Sequence, residues 1–130
     1  MLKMYIAVGI GGIIGTVLRY LISLTFTSEQ FNSFPWATFT VNITGAFLLT
    51  FIVFQSYFIR RLSTVNFVAL TTGIIGSYTT FSTLMLEFTM LIQHDRWTAT
   101  IYLMSTIFGG LFASFLGYSI AHKTNKSEAR

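Results

Sequence analysis

Thr71-Thr72-Gly73-Ile74-Ile75-Gly76-Ser77-Tyr78-Thr79-Thr80-Phe81-Ser82-Thr83-Leu84 is the stretch on which the fold turns. It lies inside a segment, Val65 to Ile92, that is otherwise apolar enough to cross a bilayer. Two glycines and then a block of hydroxyls fall at the centre of that segment. Such a sequence suits a continuous helix in hydrocarbon poorly. Irregular backbone at membrane depth survives only where it is buried in protein or lines a cavity, because each unpaired amide costs several kcal/mol. The flanks, Phe67 to Ile75 and Leu84 to Ile92, are each about half the length of a spanning helix. The stretch therefore predicts two half-helices meeting at a polar break near the midplane. A break of this kind sets carbonyls of one half beside N–H groups of the other, a way of building ion sites inside membranes. The competing reading is a small-residue face packed closely on a neighbouring helix. Glycines and hydroxyls together, centred in the span, favour the ion site.

Composition bounds the rest. The chain has 130 residues, 53% hydrophobic and 9% charged, with mean hydropathy +0.68. A soluble domain carries about a quarter charged residues, so this is an all-α, polytopic membrane protein. The length holds four spans of about 20 residues with short connections, and no soluble domain. Residues 1–130 read as a single four-helix unit with spans at about 4–26, 35–58, 65–92 and 98–121. The start lacks the ordered parts of a cleavable signal, so Met4 onward reads as a retained first span. The chain has no cysteine, which excludes disulfides and thiolate metal sites. His94 and His122 stand at span ends beside charged residues, as interfacial groups do. The net charge of +4 includes no basic run of the kind that binds nucleic acid. The sequence contains no catalytic arrangement of His, Asp and Ser and no phosphate loop, so it does not read as an enzyme.

Within span one, Gly11, Gly15 and Arg19 share a face at i, i+4 and i+8. Glycines on such a face admit another backbone, while Arg19, well inside the span, faces protein or water or snorkels. A short polar connection, Thr27 to Phe34, carries Glu29. Pro35 and Trp36 open span two, where Thr38, Asn42 and Gly45 fall on one face. Asn42 offers a donor and an acceptor in the membrane interior, with an interhelical packing bond as the competing role. Glu87 follows the break on the face of Thr80 and Thr83, with Arg19 as a candidate partner. Span four carries Tyr102, Ser105, Thr106, Gly109 and Gly110. The thread of Asn42, Thr79, Thr80, Ser82, Thr83 and Tyr102 consists largely of O–H and N–H donors, which favour an anion. Aromatic ring edges also carry positive charge toward one. The chain is too small to enclose a wide aqueous pore, so an oligomer passing a small dehydrated ion fits best.

The charge bias sets an orientation. Four spans put both termini and the Arg60-Arg61 loop on one side, with Lys3, Lys123, Lys126 and Arg130. Arg96 lies opposite, joined by Arg19 if that residue snorkels outward. The positive-inside rule then makes both termini cytoplasmic.

Gly11-Gly12-Ile13-Ile14-Gly15 with Arg19-Tyr20, Thr38-Phe39-Thr40-Val41-Asn42-Ile43-Thr44-Gly45, and Gly73-Ile74-Ile75-Gly76-Ser77-Tyr78-Thr79-Thr80-Phe81-Ser82-Thr83 followed by Glu87 resemble the first three span motifs of the fluoride channel family (Fluc, also called CrcB). The resemblance covers all four spans in order. It implies passive, fluoride-selective export across the cell membrane, giving fluoride resistance. It also implies an antiparallel dimer of two narrow pores, which a chain forms alone only by inserting in both orientations (dual topology). By position it makes Asn42 and Phe81 ion contacts, and places Thr38, Thr80, Ser82, Tyr102 and Ser105 or Thr106 along the anion pathway, with Arg19 at a vestibule. It further implies a structural sodium ion at the dimer centre, held by the backbone carbonyls of Gly76 and Thr79. The family's second phenylalanine, three residues after the first, is Leu84 here. That departure and the charge bias point to a heterodimer with a paralogous second subunit. Two other classes compete: a proton-coupled small multidrug exporter using Glu87, and a non-conducting assembly subunit whose polar face only glues helices.

Overall fold

The computed structural model describes residues 1–26 and 33–128. Most of the first connection, with Glu29, lies outside the described residues, as does Arg130. The described chain is nearly all helical and contains no strand. Its elements are α1 (Leu2–Thr25), α2 (Trp36–Phe54), α3 (Ser56–Arg61), α4 (Thr64–Val68), a π-helical segment (Ala69–Ile75), α5 (Gly76–Tyr78), α6 (Phe81–His94) and α7 (Arg96–Glu128). Among the described residues, three helices are long and apolar enough to cross a membrane: α1, α2 and the Arg96–Lys126 part of α7. Helices of this length and apolarity mark a multi-pass membrane protein. Their outer faces expose Ile13, Val17, Phe108, Leu111 and Phe115, a surface suited to lipid.

The segment from Thr64 to His94 contains no single long helix. Helical geometry holds through Tyr78, becomes extended at Thr79 (φ −79°, ψ 159°) and Thr80 (φ −149°, ψ 125°), and resumes at Phe81. The break is thus two residues wide. Both glycines of the deciding stretch lie on its N-terminal side, inside helical turns, and Gly73 packs. A Cβ on Gly73 would stand 2.8 Å from the Val8 carbonyl oxygen, and one on Gly11 would stand 2.6 Å from that of Ala69. A Cβ on Gly15 would run into the Ile74 carbonyl. The backbones of α1 and the π-helical segment therefore touch, which only glycine allows. The two competing readings of this stretch divide it between them: its glycine half packs and its hydroxyl half breaks.

α2 lies along α7, its principal partner, at close range. A Cβ on Gly117 would stand 2.6 Å from the Phe47 carbonyl oxygen, and one on Gly45 would collide with the Thr79 side chain. α2 ends at Phe54, short of the Phe58 that its apolar sequence suggests. Gln55 is extended, and Ser56–Arg61 forms a separate short helix. α7, which covers the expected fourth span, outruns its expected limits at both ends. α7 has 33 residues, about 50 Å of helix against a hydrocarbon core of about 30 Å. Lys123 and Lys126, beyond the expected end of span four at about residue 121, are on helix. At its start, Asp95 accepts hydrogen bonds from the Trp97 and Thr98 amides and from the Thr98 hydroxyl. These bonds hold the Asp95 carboxyl below its usual value, the Thr98 side chain being the largest cause.

Candidate functional site

The site is built around the extended pair Thr79–Thr80. Thr80 is buried at 8% exposure, so its peptide groups need partners within the protein. Asn42 supplies both. Its Oδ1 accepts from the Thr80 N–H at 2.9 Å, and its Nδ2 donates to the Thr80 carbonyl at 3.0 Å. The amide thus replaces the helical bonds that the break removes. Nδ2 carries two protons and this clamp uses one. Thr80 also caps α6: its Oγ1 accepts from the Thr83 N–H at 3.2 Å, donates to the Thr83 hydroxyl oxygen at 2.9 Å, and lies 3.3 Å from the Ser82 hydroxyl. The Thr79 N–H and hydroxyl both bond back to the Ile75 carbonyl, closing the end of α5.

A second cluster lies one turn further along α6. Glu87 accepts from the Thr38 hydroxyl at 2.8 Å and from the Tyr102 hydroxyl at 2.6 Å. The carboxylate therefore ties α2, α6 and α7 together. Tyr102 is fully buried, beside Leu84, Leu91 and Ala99. The Phe34 ring stands edge-on to it at 5.3 Å. Each hydroxyl has one proton, so in this arrangement Thr38 and Tyr102 spend theirs on Glu87. The Thr106 and Ser105 hydroxyls donate to the Tyr102 carbonyl, at 2.7 and 3.1 Å. Thr106 is the buried one of the two, at 7% exposure.

A cavity of ≈ 350 Å³ opens between these groups, lined by Arg19, Tyr20, Thr38, Thr80, Thr83 and Glu87 among others. Arg19 and Glu87 thus face one space. The residues singled out by sequence separate into two sets. Thr38, Thr80, Tyr102 and Thr106 are buried inside the chain, with Asn42 partly so. Phe81, at 72% exposure, and Ser82 and Gly76 lie on its outer surface. Leu84, at the position of the second ring, is 4% exposed and packs in the chain's own core. Sequence reasoning treated Glu87 as a proton carrier or a partner for Arg19. It missed Glu87 as the acceptor joining two pathway candidates, which the i, i+4 spacing from Thr83 alone does not show.

A helix break clamped by a half-buried amide, beside a cavity that Arg19 and Glu87 line in an apolar bundle, belongs to the class of small multi-pass membrane proteins that handle ions. Comparison narrows the class: the family described as CrcB-like protein, Camphor Resistance (CrcB), matches residues 6–118, and the chain belongs to it. Similar proteins include Fluoride-specific ion channel FluC 2 of Geobacillus kaustophilus, 42% identical over 94% of this chain and 95% of its own length. Fluoride-specific ion channel FluC 1 of Bacillus cereus is 42% identical over 89% and 81%. FluC 2 of Clostridium acetobutylicum is 39% identical over 90% and 97%. The resemblance stated from the span motifs is therefore correct.

Proposed function

We propose that the chain is a subunit of a fluoride-selective channel that lets fluoride leave the cell passively. The observation that carries this reading is the hydroxyl-rich break at Thr79–Thr80, clamped by Asn42, in a chain of this family. Residues 64–94 form the third of four crossings, with the break near the bilayer midplane, where protein partners must replace water for its peptide groups. Residues 1–130 then act as one transmembrane domain. Asn42, Thr80, Ser82 and the span-four hydroxyls supply donors to a dehydrated anion, and the Phe81 ring edge adds positive charge. Passage beside Thr38 and Tyr102 requires their protons to swing from Glu87 toward the ion, while Arg19 draws anions into the cavity mouth.

The outward set of residues, Phe81, Ser82 and Gly76, serves a pathway only if a second subunit covers it, which favours a dimer. In the antiparallel arrangement the two broken segments face each other. The Gly76 and Thr79 carbonyls of both chains then fit a sodium ion, being neutral oxygen donors suited to a hard cation. Two carbonyls from one chain are too few for such an ion, so the site depends on the dimer. That ion would offset the repulsion between converging carbonyls. The Lys/Arg bias favours a single orientation with both termini in the cytoplasm. This supports a paralogous partner, and the numbering of the relatives as FluC 1 and FluC 2 is consistent with paired chains. The test is fluoride efflux from liposomes, for the chain alone and with a paralogue, against a chloride control. Fluoride release with chloride retained is expected, and equal chloride flux would refute selectivity.

A further inference from the structure

One end of the molecule carries a cationic surface that plays no part in the break. α3 contributes Arg60 and Arg61, and the extension of α7 contributes Lys123 and Lys126, all exposed. Glu128 is the one acidic residue in these two stretches. Two contacts hold α7 to Phe54, the last residue of α2 and two residues before α3. Asn125 Nδ2 donates to the Phe54 carbonyl at 2.9 Å. The Phe54 and Tyr118 rings meet edge to face at 5.0 Å, and Tyr118 stacks on His122 at 5.9 Å. The Arg61 guanidinium lies 5.8 Å over the Tyr57 ring.

The levels of these groups match a membrane boundary. Counting about 20 residues, or 30 Å, along α7 from Trp97 reaches the turn before Tyr118. α2, which begins at Trp36, ends at Phe54 beside Tyr118. Tyr118 and Tyr57 therefore form the aromatic level of this interface. Arg60, Arg61, Lys123 and Lys126 stand just beyond it, at headgroup depth. Tyr57 and Ile59 of α3 are 52% and 56% exposed, as suits a short helix lying in the interface. The opposite end offers Arg96 alone, with Asp95 beside it.

We infer that the α3–α7 corner is a binding surface for anionic phospholipid headgroups, with the lipid phosphate lodged among Arg60, Arg61, Lys123 and Lys126 and the acyl chains against Tyr57 and Ile59. Because Asn125 ties the α7 extension to Phe54, the residue before Gln55, lipid held by both α3 and α7 also braces the turn at Gln55. The surface gives the subunit a fixed lipid-facing end, whichever ion it passes.

The purified full chain in detergent is offered phosphatidylglycerol or phosphatidylcholine, and retained lipid is read by native mass spectrometry together with the melting midpoint. Phosphatidylglycerol should be retained preferentially and raise the midpoint, and its retention should fall as salt is added. Each cation replaced, in Arg60→Gln/Arg61→Gln and in Lys123→Gln/Lys126→Gln, should weaken retention about fivefold. Arg96→Gln should leave it unchanged. Equal retention of both lipids, salt-independent retention, or an equal loss in Arg96→Gln would overturn the inference. So would the same stabilisation by inorganic phosphate without lipid. The salt and phosphate arms use the unaltered protein, so a variant that fails to fold does not blunt the test.

Discussion

Replacing Asn42 by alanine takes both partners from one buried residue. In the structure the Thr80 N–H and C=O each have a hydrogen bond to the Asn42 amide, and Thr80 is 8% exposed. An orphaned buried polar group costs about 1–3 kcal/mol, so two on the same residue cost about 2–6 kcal/mol before relaxation or water entry. Thr80→Ala removes the α6 cap but leaves the clamp, a loss of about 0.5–2 kcal/mol. Asn42→Ala should therefore destabilise the protein more than Thr80→Ala. Asn42→Asp keeps an acceptor for the Thr80 N–H but offers no donor to its carbonyl, and should also destabilise. Thermal unfolding in detergent measures the ranking, and hydrogen exchange at the Thr80 amide reports the clamp directly. Fluoride efflux from the same preparations should fall in parallel with loss of protection at Thr80. If Asn42→Ala melted like wild type and the Thr80 amide stayed protected, the clamp argument would be wrong. Lost flux under those conditions would leave Asn42 with ion contact alone.

The remaining predictions concern packing, a buried amide and the α7 cap. Gly15→Ala sets a methyl against the Ile74 carbonyl, where backbone cannot yield, and should cost at least the 1–3 kcal/mol typical of overpacking. Gly9→Ala, with nothing within 4 Å of the added carbon, should stabilise by about 0.5–1 kcal/mol, and unfolding of the two variants side by side checks the contrast. Among the described residues, Gln55 Oε1 is buried without a hydrogen-bond partner; Gln55→Met keeps the volume, removes the unpaired group and should raise the melting midpoint. Asp95 has its carboxyl held below the ordinary value of 3.8 by the Thr98 and Trp97 bonds. Its stabilising effect is therefore present above that pH and lost as pH falls through the lowered folded value. Melting midpoints below pH 4 should fall in wild type by an increment missing from Asp95→Ala.

The architecture was legible where it rests on apolar length. α1 and α2 fall close to their expected ranges, although α2 stops at Phe54. That stop was hidden because Gln55 is a single polar residue in an apolar run, and the extended backbone there carries no glycine or proline. The break was legible as a region, since hydroxyls and glycines at the centre of a span stand out against hydrocarbon. Its position was not. Whether Gly73 bends a helix or lets α1 approach depends on what lies opposite, and Val8 and Gly11 are more than sixty residues away in sequence. The same holds for Asn42. Its chemistry was clear from its residue type, but its dual bond to one peptide unit at Thr80 depends on how α2 is placed against the break. Glu87 was the largest omission, because its two donors come from different helices and neither spacing predicts the meeting.

The position of the break bears on the proposal that this stretch meets ions of both signs. A helix end leaves its last carbonyls without intrahelical partners, and a helix start leaves its first N–H groups so. α5 ends and α6 begins two residues apart, which puts a partial negative charge and a partial positive charge side by side. Thr80 would blur that separation if its own peptide groups competed for either end. Asn42 removes both of them at once, and the Thr80 hydroxyl occupies the Thr83 N–H. On the proposed reading, a cation would then meet the carbonyl end at Gly76 and Thr79, and an anion the amide and hydroxyl start at Phe81 and Ser82. A continuous helix through the same residues would cancel both in its internal hydrogen bonds. The two-residue extension at Thr79–Thr80, more than the hydroxyl content of the span, is therefore the feature on which the proposed ion binding would depend.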